Sequence, residues 1–161
     1  HEALYPCFAY DEIFGTVLNR FCVQAVAGYP LTVYGKGGQT RGYLNIKDTL
    51  NCIELALNSP ADSGELRIFN QFTETFSVNE LAERVQAAGR DMGLDVVIES
   101  VPNPRKEAED HYYNPAHTGL IDLGLEPNLL TSETLVGIMD LIARQRDRIR
   151  HDRFVRSVQW S

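Results

Sequence analysis

A glycine-rich turn followed by an arginine is the first stretch whose residue types suggest chemistry. In YGKGGQTR, which begins at Tyr34, three glycines would let a ligand approach the backbone, and Arg41 follows the turn. Arginine offers a planar fork of donors that fits two phosphate oxygens. The spacing matches neither the P-loop GxxxxGK[ST] nor a GxGxxG fingerprint that opens a helix. Two interpretations stay open: a structural hairpin turn, or a turn that presents Arg41 to a phosphate.

A second candidate is the polar and aromatic segment NPRKEAEDHYYNP, residues 103–115. A proline precedes Arg105 and restricts the direction in which its guanidinium leaves the backbone. Glu107 could accept hydrogen bonds from sugar hydroxyls, and the adjacent tyrosines could pack on a ring. His111 and His117 lie near carboxylates but lack the spacing of a zinc site, so no metal is predicted. The alternative interpretation is a solvated acidic loop.

The sequence offers no catalytic group of its own. There is no GxSxG elbow and no cysteine–histidine pair at a recognisable spacing. Tyr43 and Lys47 match the YxxxK spacing, but they fall on a predicted strand that runs into a turn. Side chains there do not share a helix face, so we do not interpret the pair as a catalytic base.

The composition is that of an ordinary globular domain. The chain has 161 residues, 43% of them hydrophobic, with a net charge of −7 and a pI near 5.0. No basic field would attract nucleic acid or an anionic membrane, and no apolar run is long enough to span a bilayer. Three cysteines without a CxxC pair indicate free thiols in a reducing compartment. The start at His1, without a methionine, indicates a fragment or a processed product.

Hydrophobic periodicity predicts a helix, two short strands, a helix, a strand, a helix, a strand and two helices. In SVNE, Ser77 and Glu80 have the spacing of a capping box. The predicted ranges are helices at 11–27, 48–57, 77–93, 117–127 and 132–150, and strands at 31–35, 41–46, 65–72 and 95–101. Asp48 is predicted to cap the second helix. The fold class is α/β, with small mixed sheet segments and helices and an incomplete Rossmann half.

Several motifs together resemble a known family. A helix ending in Ala-Gly-x-Pro, then YGKGGQTRGYLNIKDT, FNQFTETFSVNELA and VPNPRKEAEDHYYN, resemble the C-terminal half of extended short-chain dehydrogenase/reductases, the nucleotide-sugar epimerases and dehydratases. FNQFTE and PNPRKEAEDHYYN are most similar to the branch that makes a sulfonated sugar nucleotide from UDP-glucose and sulfite with NAD. The resemblance implies that residues 1–161 are a C-terminal nucleotide-sugar-binding domain. It also implies that NAD and the catalytic residues belong to an N-terminal Rossmann half absent from this chain.

The resemblance also implies roles for particular residues. Arg41 and Arg105 would grip the diphosphate, with Glu107 on the ribose. The remaining implied substrate contacts are the backbone of Thr32, Val33 and Tyr34 at the uracil, Asn19 near the diphosphate at the start of its helix, and Gln39 as a weaker candidate in the same pocket.

The same resemblance implies partners and a location. UDP-glucose and sulfite would be substrates, the Rossmann half would dock on this chain, and the full enzyme would be a homodimer. A cytoplasmic location is expected, or the chloroplast stroma in a plant or alga. Two alternatives stay open: another NAD-dependent sugar-nucleotide epimerase or dehydratase, and a sugar-nucleotide-binding module without chemistry. The fragment alone is expected to be inactive and to expose an apolar face.

Overall fold

The computed structural model describes residues 8–11, 14–103 and 115–154. The order of elements predicted from the sequence is confirmed. The helices are α1 (Val17–Ala27), α2 (Ile46–Asn58), α3 (Val78–Asp91), α4 (Gly119–Asp122) and α5 (Ser132–Arg144), and two 3₁₀ turns follow at Arg146–Arg148 and His151–Phe154. The strands are β1 (Leu31–Tyr34), β2 (Thr40–Tyr43), β3 (Glu74–Ser77) and β4 (Ile98–Val101).

The main core lies between α1, α3 and α5, with β1 against them. Apolar residues spaced three or four apart give each helix one buried face. On α3 this face is Leu81, Val85 and Ala88, and on α5 it includes Leu135 and Met139. A smaller cluster joins α2 to α4 and to the residues after α4 through the buried side chains of Cys52, Leu120 and Leu125. Among the described residues, no helix combines the length and apolarity needed to cross a membrane.

The strands form two separate pairs. β1 pairs with β4 in parallel, with Tyr34 opposite Val101, and β2 pairs with β3 antiparallel, with Thr40 opposite Ser77. Parallel strands end at the same edge of a sheet. The segments that follow Tyr34 and Val101 therefore leave from one edge, where Gly35 N donates to Val101 O at 2.9 Å.

The N-terminus of α3 confirms the predicted capping box. Ser77 Oγ accepts from Glu80 N at 3.2 Å, and Glu80 Oε2 accepts from Ser77 N at 2.6 Å. Because these hydrogen bonds stabilise the ionised carboxylate, they lower the pKa of Glu80. The two bonds fix the junction between β3 and α3. Asn79, the second residue of α3, follows this junction.

The predicted strand at 65–72 is wrong, because these residues are irregular and the strand lies at Glu74–Ser77 instead. Leu66 and Ile68 alternate as in a strand, yet they are 83% and 79% exposed. A strand requires a neighbour for its backbone groups. The described part of the chain supplies none to this run.

Several predicted boundaries are also corrected. The first helix begins at Val17 because Thr16, not an earlier residue, caps it. Asn45 caps α2, so the prediction for Asp48 as a cap is wrong. The helices α4 and α5 and the strand β4 lie inside their predicted ranges, whereas β2 begins one residue early and ends at Tyr43, and α2 extends past its predicted range at both ends.

Candidate functional site

The glycine turn between β1 and β2 has a backbone that only glycine adopts easily. Gly35 and Gly37 have φ of 67° and 70°. A Cβ on Gly37 would collide with the side chains of Asn79 and Val33, and one on Gly35 would lie 3.2 Å from Asn103 Cβ. Glycine is therefore required here both for conformation and for space.

Arg41 lies immediately after this turn, on the exposed face of β2. Its Nη1 donates to Thr40 O at 2.8 Å, so the guanidinium is held beside the strand that carries it. Gln39, two residues earlier, has a buried Oε1 with no hydrogen-bond partner among the described residues. A buried acceptor without a donor is costly, and a ligand donor would relieve that cost.

Side chains from α1 already bond β1. Thr32 N donates to Gln24 Oε1 at 3.2 Å, and Gln24 Nε2 donates to Thr32 Oγ1 at 2.9 Å. Arg20 Nη2 donates to Thr32 O at 2.9 Å, and its guanidinium carbon lies 4.7 Å from the centre of the Tyr34 ring. Val33 is buried in the core. The structure thus puts Arg20, a residue that sequence reasoning missed, against the strand predicted to contact uracil.

Asn19 lies at the start of α1, where it was predicted, but its polar groups have protein partners. Its backbone N–H donates to Thr16 Oγ1 at 3.1 Å, and its Nδ2 donates to Ala9 O at 2.9 Å. The N–H group expected to face an anion is used by the helix cap. Its predicted role near the diphosphate remains a prediction.

Arg105 and Glu107 lie outside the described residues, which stop at 103 and resume at 115. The flanking residues are placed. Asn103 lies against Gly35 at the start of the glycine turn, and Asn70 Nδ2 donates to Ala116 O at 2.7 Å. Asn103, the last described residue before the gap, therefore lies beside the turn that leads to Arg41, and Ala116, after the gap, bonds the FNQF motif.

The FNQF motif contacts β2 as well. Phe72 packs against Gly42, where an added Cβ would lie 2.7 Å from the ring. The same ring stacks on His117, with centroids 4.4 Å apart. The motif that looked like a buried strand thus packs β2 against the segment that follows residue 115.

Tyr43 and Lys47 do not form a catalytic pair. Tyr43 ends β2, whereas Lys47 lies in the first turn of α2. Burial raises the pKa of Tyr43 to about 12, despite the opposing charge of Arg41. A general base needs a pKa nearer the working pH. The described residues also contain no cluster of three or more His, Cys, Asp or Glu side chains suited to a metal.

Two curated proteins named UDP-sulfoquinovose synthase match this sequence. The chloroplastic protein of Spinacia oleracea is 56% identical over 99% of this chain and 33% of its own length. The protein of Sulfolobus acidocaldarius is 46% identical over 93% of this chain and 39% of its own length. The chain therefore spans about a third of each of these relatives. No family model matches the chain.

Solved structures show the same fold at lower identity. The UDP-glucose 4-epimerase of Thermotoga maritima, solved with UDP-glucose, has a TM-score of 0.65 at 22% identity, covering 82% of this chain and 40% of the epimerase. The dTDP-glucose 4,6-dehydratase of Bacillus anthracis, solved with NAD, has a TM-score of 0.63 at 18% identity, covering 89% of this chain and 43% of the dehydratase. The predicted class, part of a Rossmann-type α/β dehydrogenase/reductase fold, is confirmed.

Proposed function

We propose that this chain, which belongs by sequence with the UDP-sulfoquinovose synthases, holds the nucleotide of UDP-glucose for such an enzyme. The complete enzyme would convert UDP-glucose and sulfite to UDP-sulfoquinovose and water. The reaction replaces the C6 hydroxyl by a sulfonate, with no net oxidation or reduction. The catalytic residues and NAD are assigned to the part of the protein outside this chain.

The observation that supports this proposal best is the parallel pairing of β1 and β4. Tyr34 lies opposite Val101, so the glycine turn and the segment carrying Arg105 leave the same edge. Asn103 lies against Gly35 there. Arg41 follows one of these segments and Arg105 the other. We propose that Arg41 and Arg105, which follow these two segments in the sequence, reach one diphosphate.

The chemistry of these residues suits a nucleotide diphosphate. With a net charge of −7, the chain as a whole repels anions, so a diphosphate requires specific cations. Arginines form short, charge-assisted and often bidentate hydrogen bonds to phosphate. Arg41 and Arg105 would supply these bonds, and Gln39 Oε1 would accept from a ligand donor in the same pocket.

The rest of the nucleotide is assigned by the same proposal. The uracil would lie at β1, against Thr32, Val33 and Tyr34, although the Thr32 backbone groups already accept and donate within the chain. Glu107 would bond the ribose, and Asn19 would lie toward the phosphates. Holding UDP in this way orients the hexose, so that binding energy remote from the reacting carbons contributes to the rate.

NAD, where it is bound, supplies a hydride acceptor and donor for the hexose. Structural relatives include a dehydratase solved with NAD, which supports a nicotinamide cofactor for the complete protein. This chain would contribute positioning of the sugar nucleotide. A homodimer of the complete enzyme and, in a plant or alga, a chloroplast stroma location are also part of the proposal, the latter because the spinach relative is chloroplastic.

One alternative has a specific observation in its favour. The fold neighbours include a UDP-glucose 4-epimerase, whose reaction needs no sulfite. A sugar-nucleotide-binding module without chemistry is the second alternative.

Sulfite dependence of the complete protein separates these candidates. With UDP-glucose and NAD, we expect a sulfonated product, detected by mass spectrometry, only when sulfite is added. Conversion to UDP-galactose without sulfite would favour the epimerase. Binding of UDP-glucose without any turnover, by the complete protein, would favour the module.

A further inference from the structure

We infer that Asn79 is a positioning residue for the diphosphate grip, because it fixes the glycine turn that leads to Arg41. The inference rests on the proposed function, in which that turn presents a phosphate-binding arginine. Asn79 is the second residue of α3 and lies 43 positions along the chain from Lys36. Asn79 is not one of the residues that the proposed function assigns to substrate binding.

Two hydrogen bonds join Asn79 to consecutive carbonyls of the turn. Its side-chain Nδ2 donates to Lys36 O at 2.9 Å, and its backbone N donates to Gly37 O at 3.0 Å. The side chain also occupies the space beside Gly37 that a Cβ would need. Asn79 therefore holds two successive peptide groups of the turn, those on either side of Gly37.

The residues before Asn79 are themselves held by hydrogen bonds. Ser77 pairs with Thr40 across the β2–β3 ladder, and the Ser77–Glu80 capping box fixes the start of α3. Residues 36–39 are thus held between the ladder at Thr40 and the helix at Asn79. Arg41 is the next residue on the ladder, so a displaced turn would change the direction from which its guanidinium approaches a phosphate.

Asparagine is the residue type this geometry requires. The side chain must donate to Lys36 O, which an aspartate cannot do once it is ionised. Aspartate is nevertheless favourable in the first turn of a helix, because a negative charge there complements the helix dipole. The change Asn79→Asp therefore removes the side-chain bond to Lys36 O, keeps the backbone bond to Gly37 O, and puts a favourable charge at the start of α3.

The test uses the complete enzyme with Asn79→Asp and Asn79→Ala. UDP binding is measured by calorimetry, and the KM for UDP-glucose is separated from kcat. We expect UDP affinity to fall about 3- to 10-fold in both variants, because the loss of one neutral hydrogen bond changes an affinity by that much. We expect KM to rise similarly while kcat is retained, and amide exchange of residues 36–41 to accelerate.

A control, Thr131→Ala, removes the cap bond of α5 from Thr134 N, which lies away from the turn. It should lower the melting temperature but keep the affinity.

The outcomes separate this inference from the proposed function. If the unmodified enzyme binds UDP and Asn79→Asp binds it equally well, Asn79 does not position the grip. If the unmodified enzyme does not bind UDP, the proposed function fails, and amide exchange alone then decides the role of Asn79. Faster exchange at 36–41 in Asn79→Asp would still support its hold on the turn. Unchanged exchange would overturn it.

Discussion

Asp48 has a fully buried carboxylate, and both of its oxygens accept hydrogen bonds from one residue. Asn128 N donates to Oδ2 at 2.8 Å, and Asn128 Nδ2 donates to Oδ1 at 2.5 Å. A second carboxylate bonds the same segment, because Glu74 Oε2 accepts from Leu130 N at 2.7 Å. Bonds to ionised acceptors are the stronger ones in proteins. These contacts attach the segment before α5 to α2 and β3.

We expect Asp48→Asn to destabilise the protein by about 2 kcal/mol, because one buried acceptor oxygen becomes a donor that faces another donor. The measurement is thermal unfolding of the complete protein at neutral pH. Asp122→Asn, an exposed change on α4, is the matched control and should leave the melting temperature as it is. An equal effect of the two changes would contradict this role for Asp48.

Individual site residues could be predicted from the sequence only where chemistry and local spacing coincide. Arg41 was proposed for the site because a glycine-rich turn lies just before it, and its role stays a prediction. Arg20 and Asn79 were missed, because their partners lie 12 and 43 positions along the chain. Such contacts depend on how strands and helices pack, so a local sequence pattern does not predict them.

At the scale of elements, α2 is the helix whose packing is incomplete. Its buried residue Cys52 faces α4, but the opposite side carries an apolar stripe at i, i+4, i+7 and i+11. The stripe residues are Ile46, Leu50, Ile53 and Leu57, and they are 49–75% exposed. Exposed apolar stripes of this kind mark interfaces. Because the chain spans about a third of its relatives, we expect the remainder of the protein to cover this stripe.

The 161-residue chain alone should therefore self-associate as its concentration rises. The double change Leu50→Glu and Leu57→Glu should shift it toward monomer, because two charges would have to be buried in the contact. Val97→Glu, an exposed apolar position outside the stripe, is the control and should not. Sedimentation velocity measures the distribution. A monomeric unmodified chain at every concentration would contradict the prediction.

Elements were predictable where their signals are local. The capping box at Ser77 and Glu80 fixed the start of α3 because both partners lie within one turn. The strand predicted at 65–72 failed, because alternation describes two faces but supplies no partner strand. The start of α1 was predicted six residues early, because periodic apolar residues continue upstream of the Thr16 cap.

At the scale of the whole molecule, the family resemblance predicted from the motifs is confirmed by the spinach and Sulfolobus proteins. The fold follows from it, with TM-scores of 0.65 and 0.63 to an epimerase and a dehydratase. The sequence alone could not predict that β1 and β4 pair in parallel, since β4 begins at Ile98, far along the chain from the end of β1 at Tyr34. This pairing brings the ends of β1 and β4, at Tyr34 and Val101, to one edge.

The most direct measurement is a double-mutant cycle on Arg41 and Arg105 in the complete enzyme, with UDP titrated by calorimetry. Each alanine variant should lose roughly 2–4 kcal/mol of UDP binding, since a charged partner is removed from a phosphate. The double variant should lose less than the sum, because the two side chains share one ligand.

Uridine, which lacks phosphates, should bind all four proteins equally, and Arg90→Ala, an exposed change on α3, should bind UDP normally. Unchanged UDP affinity in either single variant, or losses that simply add, would contradict a shared diphosphate grip.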